Sequence, residues 1–100
     1  MGRRRSDIFE AVRRIMNYPL EDRGDYRIVY RHRVEGVGEV LREARLESVV
    51  RVDKWAVHLV NGDSIPLHRI VEIRGPRGET VWRRGLGWLE DLSSRRRTAG

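Results

Sequence analysis

Two dipeptides stand out for the chemistry they could do: His32-Arg33 and His68-Arg69, each placed after an extended run. A guanidinium can engage two oxygens of a phosphate at once. An imidazole beside it can donate to a third oxygen or move a proton, so paired His-Arg units suit the binding, or even the cleavage, of a phosphodiester. Arginines crowd the same stretches. Tyr26 to Val34 carries Arg27, Arg31 and Arg33 with no acid, and between Pro66 and Arg84 five arginines face only Glu72 and Glu79. Laid side by side, the two stretches would make a positive surface suited to phosphates. His58, inside an apolar run, reads as packed or solvated.

Other chemistries drop out. The sequence has no HExxH, no GxSxG, no glycine-rich phosphate loop followed by Lys and Ser or Thr, and no carboxylate pair in a promising context. Zero cysteines remove disulfides, thiolate zinc sites, iron–sulfur clusters and cysteine nucleophiles. The three histidines occupy separate strand contexts with no carboxylate at ligand spacing, so neither a divalent metal nor a cofactor is expected. No apolar run approaches the ~20 residues of a membrane span, and Met1 to Ser6 lacks the apolar stretch of a secretory signal. The expectation is a cytoplasmic protein with no membrane partner.

The chain has 100 residues, with 21 Lys+Arg against 15 Asp+Glu and a net charge of +6. That length holds one modest core. Twenty arginines, one lysine (Lys54), two asparagines and no glutamine form a composition poor in thermolabile side chains, which leans towards a thermophile. Six arginines fall in the triplets Arg3 to Arg5 and Arg95 to Arg97, leaving residues 6–94 with 15 basic and 15 acidic side chains. The tails therefore supply charge that can hold any polyanion through counterion release.

The elements that must position the His-Arg pairs follow from periodicity. Ser6 as N-cap, with Asp7 and Glu10 following, precedes Ile8, Val12 and Ile15 at helical intervals, and Tyr18-Pro19 ends that helix. Leu20 to Asp25 reads as a loop. Residues 26–33 alternate apolar side chains with arginines, the signature of a half-buried strand. Glu39 to Ser48 fits neither helix nor strand cleanly. Val49 to Val52 and Trp55 to Val60 flank Asp53-Lys54 as a tight hairpin, and Ser64 to Leu67 is extended, with Pro66 arguing for an edge or a bend. His68-Arg69 falls in a one-turn connection to a strand over 70–74, and residues 80–83 close the set after the turn Gly75 to Gly78. Leu86, Trp88, Leu89 and Leu92 suggest one last amphipathic turn. The fold class expected is α+β: an N-terminal helix packed on a small, strongly bent antiparallel sheet or partial barrel of five to six strands.

Tyr26 to Arg33, then Ile65-Pro66-Leu67-His68-Arg69-Ile70-Val71-Glu72-Ile73-Arg74, and finally Val81-Trp82-Arg83 resemble the archaeal small-protein family called the RNA cyclic group end recognition domain. The resemblance covers Ile8 to Arg84, and the Ile-Pro-Leu-His-Arg-Ile core is its most specific part. It implies an RNA-associated module, similar to domains joined elsewhere to phosphoesterases or nucleotidyltransferases, with a terminal 2′,3′-cyclic phosphate as ligand. Carried over by position, the site residues it implies are His32, Arg33, His68, Arg69, Trp82 and Arg83. The acidic segment Glu35 to Glu47 departs from the family by its length. Tyr30 and Trp82 are the rings that could stack a terminal base.

Organisation then reads as a basic tail (1–5), one RNA-end-recognition-like domain (6–85), and a short amphipathic turn with a second basic tail (86–100). Three functions compete: an RNA-binding module for processed 3′ ends, an interaction subunit of a ribosome or RNA-processing complex, and a metal-independent phosphodiesterase using His32 and His68 as acid and base. The absence of a third group to orient either histidine weighs against catalysis.

Overall fold

The computed structural model describes residues 7–89. Ser6, both arginine triplets and Leu92 lie outside the described residues. Asp7–Met16 forms α1, in which Ile8, Ala11, Val12 and Ile15 recur at helical spacing and are buried. Asp7 and Glu10 in its first turn and Arg13 and Arg14 in its last have the signs that favour the helix dipole. The Leu20 to Asp25 segment, expected as a loop, contains one helical turn, α2 (Leu20–Arg23). Pro19 starts it, since its carbonyl accepts from the Asp22 and Arg23 amides at 2.9 and 3.0 Å.

Eight strands follow: β1 (Arg27–Val34), β2 (Gly38–Arg45), β3 (Val49–Val52), β4 (Ala56–Leu59), β5 (Ser64–Pro66), β6 (Ile70–Arg74), β7 (Thr80–Arg83) and β8 (Gly87–Trp88). They make two antiparallel sheets, one ordered β2-β1-β6-β7-β8 and one ordered β3-β4-β5. A single sheet or partial barrel of five to six strands is thus corrected to two open sheets. Two of the strands were unreadable by alternation. β2 is an edge strand with no buried residue, so it needs no apolar face. Residues 86–89, expected as an amphipathic turn, instead carry β8: Gly85 and Gly87 take φ of 94° and 80°, and the reversal lets Trp88 pair with Trp82.

One row across the large sheet, Ala44, Ile28, Ile73, Trp82 and Trp88, lies on the inward face in register. Ile28, Ile73 and Trp82 join Ile70 and Val81, the four buried α1 residues, and Val49, Val57 and Ile65 of the small sheet in one core cluster. No described helix is long and apolar enough to cross a membrane.

Candidate nucleic-acid interface

The site begins with a defect in pairing. β1 pairs with β2 along all eight of its residues but with β6 only from Arg27 to Tyr30. The register slips between Val29 and Tyr30, so that Val29 faces Glu72 while Tyr30 faces Ile70. Such a bulge bends a strand and ends its pairing. Residues 31–34 of β1 are left paired on one side only. Next to that open edge stand β5, itself an edge strand, and the 3₁₀ turn Leu67–Arg69 that leads into β6.

Between them lies a cleft of about 230 Å³, with Tyr30 to Arg33 on one wall and Ser64, Ile65, Pro66 and Arg69 on the other. No acid lines it. Among the described residues, the side chains of Arg31, Arg33 and Arg69 make no ion pair or hydrogen bond. Glu39 stands opposite Arg33 in the β1–β2 register without pairing to it. Three guanidinium groups are therefore uncommitted around one concavity, a natural seat for a phosphate.

Two arrangements hold the far wall in place. Arg84 reaches back to the 3₁₀ turn, its Nη2 donating to the Leu67 carbonyl at 2.6 Å and its Nε to the Ile70 carbonyl at 2.8 Å. Its guanidinium also lies 5.6 Å from the centroid of the Trp82 ring. Burial, with the neighbouring Arg31 charge, lowers the Arg84 pKa from its usual value. The second arrangement runs along the small sheet. Ser64 Oγ lies 3.0 Å from His58 Nδ1, and His58 Nε2 lies 2.8 Å from Asp53 Oδ2. The Trp55 and Ala56 amides donate to Asp53 Oδ1 at 2.9 Å each. The His58 hydrogen bond, helped by those two amides, holds the Asp53 carboxyl well below the usual carboxylate range.

The residues singled out in the sequence separate into three groups. His32, Arg33 and Arg69 come together in the cleft, joined by Tyr30. His68 is exposed on the same 3₁₀ turn as Arg69 but does not line the cleft. Trp82 and Arg83 belong elsewhere. Trp82 is 2% exposed within the core, so its ring is closed to a stacking base. Arg83 lies on the outer face of the large sheet, its Nη2 3.6 Å from Glu72 Oε1. Arg31, Ser64 and Arg84 were not singled out. Arg31 and Arg84 each left a signal as members of the two arginine-rich stretches, Arg31 on the exposed side of an alternating strand.

Glu72 anchors that outer face. It is 6% exposed, accepts from Arg74 Nε at 2.8 Å and from Thr80 Oγ1 at 2.9 Å, and faces Arg83. Burial alone would raise its pKa. The bonds from Arg74 and Thr80, with the charges of Arg74 and Arg83, outweigh that and lower it. Glu43 adds a second carboxylate between Arg27 and Arg74, at 4.0 and 3.8 Å. No group of three or more His, Asp or Glu side chains among the described residues is gathered to hold a metal ion.

Comparison with known proteins shows the family that the residues of β1, β5 to β6 and β7 resemble. Residues 6–84 match the family described as the MJ1316 RNA cyclic group end recognition domain. A UPF0248 protein from Aeropyrum pernix is 95% identical over 99 residues, 99% of each chain. No solved structure matches the chain. With most of its length matched, the chain belongs to the RNA cyclic group end recognition domain family.

Proposed function

We propose that this protein is an RNA-binding module that captures processed 3′ ends carrying a phosphate, the 2′,3′-cyclic form included, in the cleft between β1 and β5. One observation carries the reading: among the described residues, three guanidinium groups without partners surround a concavity that no acid lines. A cyclic phosphate has one negative charge on two free oxygens, which a planar guanidinium engages bidentately. Arg33 and Arg69 take that role from opposite walls, Arg31 adds charge, and the His32 imidazole donates to a ribose or ring oxygen. The binding unit is residues 6–85, with β8 extending its sheet. The terminal arginine triplets raise affinity for all RNA alike, so deleting both weakens every end type equally and flattens the salt dependence.

Titration with a 2′,3′-cyclic nucleotide, followed by amide chemical shifts, tests the location. Shifts confined to residues 30–33 and 64–69 are expected; shifts centred on Glu72 and Arg83 would move the site to the other face.

A second reading rests on the Asp53–His58–Ser64 chain at the cleft wall. With His58 Nε2–H donating to the carboxylate, Nδ1 is free to take the Ser64 proton, the order of nucleophile, base and orienting acid in hydrolases. Ser64 Oγ would then bond to the cyclic phosphorus as the bond to the 2′ oxygen breaks, with that oxygen taking the proton from His58. Water, deprotonated by His58, would next attack the phosphorus as its bond to Ser64 Oγ breaks, with Oγ taking that proton back from His58, to leave a 3′-phosphate. Conversion of the cyclic nucleotide to its ring-opened monophosphate, lost in Ser64→Ala, is the outcome that favours the enzyme; no turnover leaves the binding module.

A further inference from the structure

The three tryptophans have three different fates. Trp82 is 2% exposed, Trp88 is half-buried with the Arg14 guanidinium 4.1 Å from its ring centroid, and Trp55 is 70% exposed. Such exposure of the largest aromatic side chain runs against the tendency of tryptophan to be highly buried. Its backbone, however, is firmly held. The Trp55 amide donates to Asp53 Oδ1 at 2.9 Å, and its carbonyl accepts from the Leu67 amide at 2.9 Å. The indole is therefore an outward-facing plate on a fixed stem, with Lys54 Nζ 5.1 Å from its ring centroid.

Its position bears on the cleft. Leu67, which Trp55 bonds, opens the 3₁₀ turn whose last residue, Arg69, lines the cleft, and Pro66 just before it lines the cleft as well. Trp55 thus flanks the turn that forms one wall, with a lysine beside it. We infer that Trp55 is the base platform of the site, stacking the nucleobase next to the phosphate held in the cleft. This inference rests on the cleft as the phosphate site. The surroundings select a nucleic acid over an apolar partner. Lys54 over one face of the ring and three arginines around the cleft that have no partner among the described residues favour a polyanion with flat apolar faces, which single-stranded RNA provides. A π-face is common to all four bases, so the platform gives a demand for a base without a demand for a sequence.

The test uses one oligoribonucleotide ending in a 2′,3′-cyclic phosphate, in two forms: with its terminal base, and with an abasic terminal ribose. Both are titrated into wild type, Trp55→Ala, Trp55→Phe and Arg33→Ala. Wild type should bind the form with the base roughly 5- to 150-fold more tightly, the range a stacked base supplies. Trp55→Ala should abolish that ratio while binding the abasic form as wild type does, and Trp55→Phe should keep most of it. A ratio unchanged in Trp55→Ala overturns the inference, as does equal weakening of both forms, which would point to a general protein or charge contact. Arg33→Ala judges the cleft separately. It should weaken both forms while leaving their ratio in place; if it weakens neither while Trp55→Ala abolishes the ratio, the cleft reading fails and the stacking stands.

Discussion

The two halves of β1 carry the same residue type to opposite ends. Arg27 projects into a field of carboxylates, with Glu43 within 4.0 Å and Arg74 bridging Glu43 and Glu72. Arg31 and Arg33, past the bulge, have no ion partner among the described residues, and Arg69 joins them across the cleft. In the first half the charges cancel and brace a sheet face. In the second they are left available. What an arginine does here depends on where β1 loses β6 as a neighbour, because Glu72 and Arg74 go with β6, while Glu39, which stands opposite Arg33 on β2, makes no ion pair with it among the described residues.

Glu72→Ala strikes the neutralised half and should cost the most. It removes the acceptor of two hydrogen bonds and leaves Arg74 and Arg83 facing each other, a loss of about 2 to 4 kcal/mol, read by urea unfolding. End discrimination should persist in the folded fraction. The pH dependence has a definite sign: a carboxyl lowered in the folded state contributes stability that is fully present above its unfolded value, about 4.3 for glutamate, and is lost as pH falls through the lower folded value. Glu72→Gln should therefore flatten the acid limb of the stability profile.

Arg33→Ala strikes the available half. It should cost ~1.5 to 3 kcal/mol in affinity for phosphate-ended RNA, as for a charged hydrogen bond, with little change in stability. Arg83→Ala should do the reverse, leaving affinity intact in a filter-binding assay. If the two variants behave alike, the distinction between the halves is wrong.

Arg84→Ala lies between. Losing its bonds to the Leu67 and Ile70 carbonyls should lower stability by about 1 to 2 kcal/mol and weaken phosphate-ended RNA through displacement of Arg69. Calorimetry on Arg84→Lys should show only partial rescue, since an ammonium cannot reproduce the two-pronged reach. His68→Ala should have the smallest effect on stability, within about 0.5 kcal/mol as for exposed positions without partners. A large drop in melting temperature on replacing His68 would mean that it, rather than Arg84, secures the turn after Pro66.

Strands with one buried face were legible. Residues 27–34, 70–74 and 80–83 lie close to where alternation put them, and the helix ends before Tyr18-Pro19 as the proline requires. Two edge elements were not, since β2 buries no residue and β8 has two residues set by glycine turns, whereas the edge strands β3 and β5 were marked by the hairpin at Asp53-Lys54 and by Pro66. Of the cleft lining, His32, Arg33 and Arg69 were readable because each adjoins an extended run rich in arginine. Arg84 was not, because its role is defined by carbonyls 14 and 17 residues away. Trp82 misled for a related reason. Residue type suggests a stacking ring, but its register opposite Ile73 turns it inward, whereas Trp55 sits in a hairpin turn where no core can cover it.

The central claim is that the open half of β1 reads the chemistry of an RNA end. It is tested most directly by measuring, at one salt concentration, the affinity of a single oligoribonucleotide ending in a 2′,3′-cyclic phosphate, a 3′-phosphate or a 3′-hydroxyl for wild type and for the double variant Arg33→Ala/Arg69→Ala. The account predicts that wild type prefers the phosphate ends by about tenfold or more, and that the preference collapses in the double variant while hydroxyl-ended binding through the tails persists. Equal wild-type affinity for all three ends, or a preference that survives the double substitution, would contradict it.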